Sequence, residues 1–144
     1  MKKIYAFLMI LIFCSSSLFA QNKYQKYVEK CEHGDSWACA EVGMTNYKHD
    51  NLEEALIYFD KGCKIKFSIG CELKAFFNKS QKPKEAFDVF QRACDNNSSY
   101  SCLNLAMMYE YGEYVEKNIT KATKLFSKSC KLGDKQACYY LNLR

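Results

Sequence analysis

Residues 122–138, ATKLFSKSCKLGDKQAC, contain an alanine, a cysteine eight residues later and a second cysteine eight residues after that. The same A-x7-C-x7-C pattern begins at Ala55 and at Ala86, and the pair Cys31/Cys39 repeats its second half. The first cysteines of successive pairs are 32, 31 and 36 residues apart. A fixed period in this range is typical of stacked helical hairpins. The sequence therefore predicts an all-α repeat protein.

The spacing within each cysteine pair predicts a turn. On one continuous helix, cysteines eight residues apart would be separated by about 12 Å. A disulfide needs its two Cα atoms within about 7 Å, so the chain must reverse between them. Gly133 and Asp134 suit such a turn, as the end of one helix and the N-cap of the next, and Gly34 and Asp35 repeat this chemistry. In the third turn Asn97 replaces the glycine, since asparagine tolerates a left-handed backbone. Lys66 stands where the second turn would need a glycine. The predicted bonds are Cys31–Cys39, Cys63–Cys71, Cys94–Cys102 and Cys130–Cys138.

The first twenty residues have the features of an export signal. Lys2 and Lys3 precede a short apolar run, and small residues lead to Ala20, so residues 1–20 are a predicted signal peptide and 21–144 the mature domain. A lipoprotein alternative would cut the chain before Cys14 instead. Phe13 disfavours that alternative because it stands where a lipobox has a small residue. We expect a periplasmic or secreted protein with no membrane association after cleavage.

The mature cysteine count favours disulfides over a metal site. Eight cysteines remain after cleavage, an even number in an exported chain, which is typical of a disulfide framework. Zinc sites place cysteines about two to four residues apart, and only His33 and His49 could complete one. We predict no metal and no cofactor. The whole chain carries a net charge of +5, which predicts neither nucleic-acid nor membrane-surface binding.

Apolar residues at helical spacing predict three hairpins between two single helices. Gly43, Ala75 and Ala106 each stand four residues after the second cysteine of a pair, which predicts close helix packing there. Asn51, Ser98 or Ser99, and Asn118 or Thr120 are predicted helix N-caps. The predicted helices are Asn22–Cys31, Trp37–Lys48, Leu52–Cys63, Ile69–Asn78, Pro83–Cys94, Tyr100–Tyr111, Ile119–Cys130 and Gln136–Arg144.

A family resemblance rests on the third hairpin. The stretch 106–112, AMMYEYG, followed by Lys121-Ala122 and by 128–133, KSCKLG, resembles a Sel1-like repeat, a relative of the tetratricopeptide repeat. With the paired cysteines, the mature chain resembles the Helicobacter cysteine-rich protein family of secreted proteins. The resemblance implies a right-handed α/α solenoid of Sel1-like hairpins with local disulfides. Asn46 and Asn78 depart from the pattern because the third copy has Tyr109 at this place.

The resemblance also implies β-lactam binding or hydrolysis, because proteins of this family are commonly labelled β-lactamases. The residues do not carry that chemistry: no serine is followed by lysine three residues on, and neither S-D-N nor K-T-G occurs. Whether the chain is an enzyme therefore stays open. A protein- or peptide-binding module is the main prediction, and a β-lactam-binding protein, taking a β-lactam or a cell-wall fragment, is the alternative.

The first helix of each hairpin is the predicted binding face, since stacked hairpins present these helices on a concave surface. A helix packs one stripe and exposes the rest, so residues opposite the second cysteine should face a ligand. In the apolar pairs Phe76–Phe77 and Met107–Met108, one member of each pair is expected in the groove. The predicted binding residues are Glu41, Met44, Phe77, Asn104 and Met108.

Two asparagines have the sequence context of bacterial N-glycosylation. Asn97 lies in 95–99, DNNSS, and Asn118 lies in 116–120, EKNIT, each with an acidic residue two positions before it. Both stand in predicted turns or loops, where a glycan can be accommodated. Asn97 and Asn118 are therefore the two candidate glycosylation sites of the sequence.

Overall fold

The computed structural model describes residues 22–65 and 69–143, and every regular element within them is a helix. The observed helices begin and end within two residues of the predicted ones. The predicted signal peptide and Lys66 lie outside the described residues. The helices are α1 (22–32), α2 (Ser36–Lys48), α3 (Leu52–Ile65), α4 (Ile69–Asn78), α5 (Pro83–Asp95), α6 (Ser99–Tyr111), α7 (Ile119–Lys131) and α8 (Lys135–Asn142).

The turns between helices have the predicted chemistry. The Asp35 carboxylate accepts hydrogen bonds from the backbone of Trp37 and Ala38, both at 3.0 Å, and so caps α2. Ser98 rather than Ser99 caps α6. Asn97 takes the left-handed conformation with φ 66°, as a turn residue replacing glycine must. Asn118 and Asp134 cap α7 and α8.

The disulfides are local. Cys31–Cys39, Cys94–Cys102 and Cys130–Cys138 have Cα–Cα distances of 4.7, 4.6 and 4.7 Å. Cys63 and Cys71 are each disulfide-bonded as well. In the three described bridges the chain turns between two helices, so each bond joins the end of one helix to the start of the next.

The described residues form two compact units, one up to Gly70 and the other from Cys71 onwards. In the first unit α2 packs closely on α3. A Cβ atom added to Gly43 would stand 2.5 Å from Cε1 of Phe59 and 3.0 Å from the carbonyl oxygen of Ala55. This contact confirms the close approach predicted at Gly43.

In the second unit α6 packs against both α5 and α7, and α7 packs against α8. Phe90 from α5 and Phe126 from α7 are fully buried, one on each side of α6. Ala75 and Ala106 are buried too, in agreement with the predicted helix packing. Within the described ranges, no helix combines the length and apolar character needed to cross a bilayer.

Candidate functional site

Met108, a predicted binding residue, is part of the core. Its side chain is 0% exposed and lies in one cluster with Phe90 and Leu105. The prediction failed because α6 has a second helix on each side, α5 and α7, and therefore buries more than one stripe. The prediction that Met108 faces a groove is wrong.

Asn104 is also buried. Only 3% of its surface is exposed, and its Nδ2 donates a 2.8 Å hydrogen bond to the carbonyl oxygen of Tyr100. Burial raises the pKa of the Tyr100 phenol well above its usual value, and a hydrogen bond with Asn104 opposes this rise. Asn104 therefore orders its own helix and is not available to a ligand.

In each apolar pair the less buried member is the one that was not among the predicted binding residues. Phe76 is 42% exposed, whereas Phe77 is half-buried. Met107 is half-buried, whereas Met108 is enclosed. Of the four side chains only Phe76 is exposed, so the expectation that one member faces a groove stays a prediction for the methionine pair.

Phe76 belongs to a small aromatic group in the second unit. Its ring centroid lies 5.3 Å from that of Phe77 in an edge-to-face arrangement and 5.9 Å from that of Tyr100. Met107 follows Tyr100 two turns later on α6, about 10.5 Å along the axis. We call Phe76, Tyr100 and Met107 the first-helix surface. In the first unit, Glu41 and Met44 are half-buried on α2.

A carboxylate that sequence reasoning missed lies between α4 and α6. Glu72 is buried and accepts hydrogen bonds of 2.5 Å from the hydroxyls of Ser98 and Ser101. The only signal for this site in the sequence is that Glu72, an acidic residue, directly follows Cys71. Ser101 is fully buried and Ser98 is half-buried, and their hydrogen bonds to Glu72 hold α4 and α6 together.

The two asparagines of the glycosylation sequences differ in availability. Asn118 Oδ1 accepts a 2.9 Å hydrogen bond from the backbone nitrogen of Lys121, as the cap of α7. Asn97 is exposed in the turn between α5 and α6. Among the described residues, no group of three or more His, Cys, Asp and Glu side chains stands close enough to hold a metal ion.

The comparisons with known proteins agree with the repeat pattern. A model of the Sel1 repeat matches residues 99–134, which span α6, α7 and the turn after α7. Helicobacter pylori cysteine rich protein B is similar in structure, with a TM-score of 0.60 and 26% identity over 84% of this chain and 93% of that one. Residues 99–134 therefore match the Sel1 repeat, and the chain is similar in structure to a Helicobacter cysteine-rich protein.

Two further solved structures share the fold. One is a protective antigen of uropathogenic Escherichia coli strains that displays an SLR fold, with TM-score 0.73, 20% identity, and coverage of 82% of this chain and 27% of that one. The other is a Sel1 repeat protein from Oxalobacter formigenes, with TM-score 0.71, 18% identity, and coverage of 82% and 52%. These similarities confirm the predicted class, an all-α solenoid of Sel1-like hairpins with local disulfides.

Among curated proteins, Cytochrome c oxidase assembly factor 7 of Xenopus tropicalis is 27% identical over 121 residues. The match covers 74% of this chain and 52% of that protein, so the chain spans about half the length of this relative. Stacked repeats of this type form a family of protein-interaction modules.

Proposed function

We propose that this chain is an exported repeat protein that binds an extended peptide segment of a partner protein on the first-helix surface. The observation that carries the proposal is the exposure of Phe76, a large apolar side chain on a first helix. Its ring rests on Phe77 and Tyr100, so a ligand would meet an apolar platform that is already ordered. Met107 extends this surface along α6.

Export is supported by the disulfides. Such bonds persist in oxidising compartments and are rare in the cytosol of mesophiles. The predicted signal at residues 1–20 supplies a route out of the cytoplasm. Recovery of a chain shortened by about twenty residues from the periplasm or the medium would support export, whereas a full-length cytosolic chain would contradict it.

The binding test uses the chain purified with its disulfides intact. Peptides enriched from a phage-displayed library are synthesised, labelled and titrated by fluorescence polarisation. Phe76→Ser should weaken binding about tenfold or more, because it removes most of the apolar platform. Circular dichroism should show unchanged helix content, since the Phe76 side chain is partly exposed.

The matched control is Ile57→Ser, which removes a 54% exposed apolar side chain from α3, a second helix. This variant should bind the peptides as the unchanged chain does. Equal binding by the Phe76 variant, or equal losses in both variants, would contradict the proposed surface. The β-lactam alternative rests on the family resemblance, and turnover of nitrocefin by the same preparation would establish it.

A further inference from the structure

The positive charge of the chain is concentrated near α7. Residues 117–135 contain six lysines and a single acidic residue, Asp134, so this segment has a net charge of +5, equal to that of the whole chain. The Asp134 carboxylate caps α8 by accepting from the backbone nitrogen of Ala137. The remainder of the chain is balanced, and the segment therefore attracts anions.

Four of these lysines lie on one face of α7. Lys121, Lys124, Lys128 and Lys131 follow each other at steps of three, four and three residues, which places them along about 15 Å of the helix. Lys121, Lys124 and Lys131 are exposed. None of the four pairs with a carboxylate within residues 22–65 and 69–143.

Two of the four have neutral contacts that hold them in place. The Lys128 ammonium donates a 2.6 Å hydrogen bond to the carbonyl oxygen of Cys94, at the C-terminal end of α5. The Lys121 ammonium lies 5.0 Å from the centroid of the Tyr109 ring. Both positive charges are thus positioned without being neutralised.

Two depressions border this row, the first lined mainly by polar side chains and the second by polar and apolar ones. One, of about 420 Å³, is lined by Lys124, Lys128, Lys131, Leu132 and the turn residue Asn97. The next, of about 250 Å³, is lined by Lys121, Lys124 and three apolar residues. We call the two depressions together the lysine groove; the apolar residues of the second are Leu105, Tyr109 and Leu125.

We propose that the lysine groove binds an acidic peptide segment of a partner protein, with apolar residues between its carboxylates. The unpaired lysines supply charge complementarity, and Leu125, Leu132 and Tyr109 offer contacts that a uniformly polar polyanion would not use. In an extended peptide, side chains on one face repeat every ~6.8 Å, so three alternate acidic residues span nearly the whole row. This surface shares no residue with the first-helix surface.

The probe is a fluorescein-labelled peptide of eight residues in which Glu and Leu alternate. Its affinity for the full chain is compared with that of the same peptide carrying Gln for Glu. The groove variant is Lys121→Gln/Lys124→Gln/Lys131→Gln, which leaves Lys128 in place because Lys128 also bonds to α5. The matched control is Lys23→Gln/Lys26→Gln/Lys30→Gln, which removes three charges from an exposed stripe of α1.

The groove variant should bind the Glu–Leu peptide about tenfold more weakly, and the α1 variant should match the unchanged chain. The Gln–Leu peptide should bind weakly to all three, and added salt should weaken only the Glu–Leu complex. Equal losses in the two triple variants would overturn the proposal. So would tighter binding of oligodeoxythymidine or heparin of equal charge, because the groove would then select charge alone. Loss of Glu–Leu peptide binding after Phe76→Ser, with the groove variant unaffected, would place the peptide on the first-helix surface and would also overturn the proposal.

Discussion

Glu72 and Ser101 are 29 residues apart in the chain, yet the Ser101 hydroxyl donates a 2.5 Å hydrogen bond to the Glu72 carboxylate. Ser98, the N-cap of α6, donates to the same oxygen atom. A carboxylate in the first turn of α4 is thereby tied to the first turn of α6. Burial of a carboxylate costs free energy unless hydrogen-bond donors replace the water molecules that it loses. The hydroxyls of Ser98 and Ser101 are these donors for Glu72.

Glu72→Ala should lower the free energy of unfolding by about 1–3 kcal/mol, because the buried Ser101 hydroxyl loses its acceptor. Urea denaturation measures the change. Glu116→Ala, at an exposed acidic residue of the loop before α7, should have almost no effect. A cycle with Ser101→Ala isolates the coupling, and additive losses would show that the hydrogen bond contributes nothing.

Substitution by serine should lower the stability of the chain far more at Met108 than at the adjacent Met107. Met108→Ser should lower the free energy of unfolding by about 3–5 kcal/mol, because it leaves a cavity and a hydroxyl in the core. Met107→Ser should cost much less, since Met107 is half-buried. Thermal unfolding followed by circular dichroism compares the two. Equal melting temperatures would contradict the burial of Met108.

Removing one disulfide should destabilise the second unit. Cys94→Ala/Cys102→Ala opens a loop of nine residues and should cost about 2–3 kcal/mol. Reduction of all its disulfides should lower the free energy of unfolding of the unchanged chain by more than this double substitution does. The same reduction should lower the stability of the variant by less, because one bond is already missing.

Non-reducing peptide mapping should recover Cys63 joined to Cys71. A link from either residue to another repeat would contradict the local pairing.

Tyr100 should make stability fall at alkaline pH. Its pKa is raised in the folded state by burial, while an unfolded tyrosine ionises near its ordinary value of about 10. Above about pH 10 the unfolded chain therefore binds fewer protons than the folded chain at this site, and stability decreases as pH rises. Tyr100→Phe should reduce the decline between pH 9 and 11. Tyr139→Phe, at an exposed ring, should leave it unchanged.

If the chain is glycosylated, the glycan should be on Asn97. Its side chain is exposed in a turn, whereas the Asn118 side-chain oxygen is engaged in capping α7. Co-expression with a bacterial oligosaccharyltransferase that recognises acidic-extended sequons should add one glycan, detected by intact mass. Asn97→Gln should abolish the added mass and Asn118→Gln should retain it. The reverse pattern would contradict this assignment.

Local features were predictable because their causes lie within a few residues. Asp35, Asn118 and Asp134 cap helices through bonds to backbone nitrogens two or three positions away. Asn97 could replace glycine in its turn because asparagine tolerates a left-handed backbone. The lysines near α7 were equally visible in the sequence, but their excess was hidden when charge was averaged over the whole chain.

The burial of α6 was not predictable from its own periodicity. A helix packed on one side shows an apolar stripe opposite a polar one, whereas α6 contacts α5 and α7 and buries Ser101 and Asn104 as well as Leu105. The helical wheel assigned one packed stripe to this helix. Phe76 and Phe77 were likewise indistinguishable, because both are apolar and adjacent.

The sequence by itself determined the helices, their turns and caps, and the local disulfides, because each depends on contacts within about ten residues. Only the tertiary structure decided which side chains are available to a ligand. It enclosed Met108, left Phe76 exposed, placed Glu72 against Ser101, and aligned the α7 lysines with two depressions. Exposure depends on which helices pack on either side: Met108 is enclosed in one cluster with Phe90, 18 residues away in the chain, and Glu72 accepts a hydrogen bond from Ser101, 29 residues away.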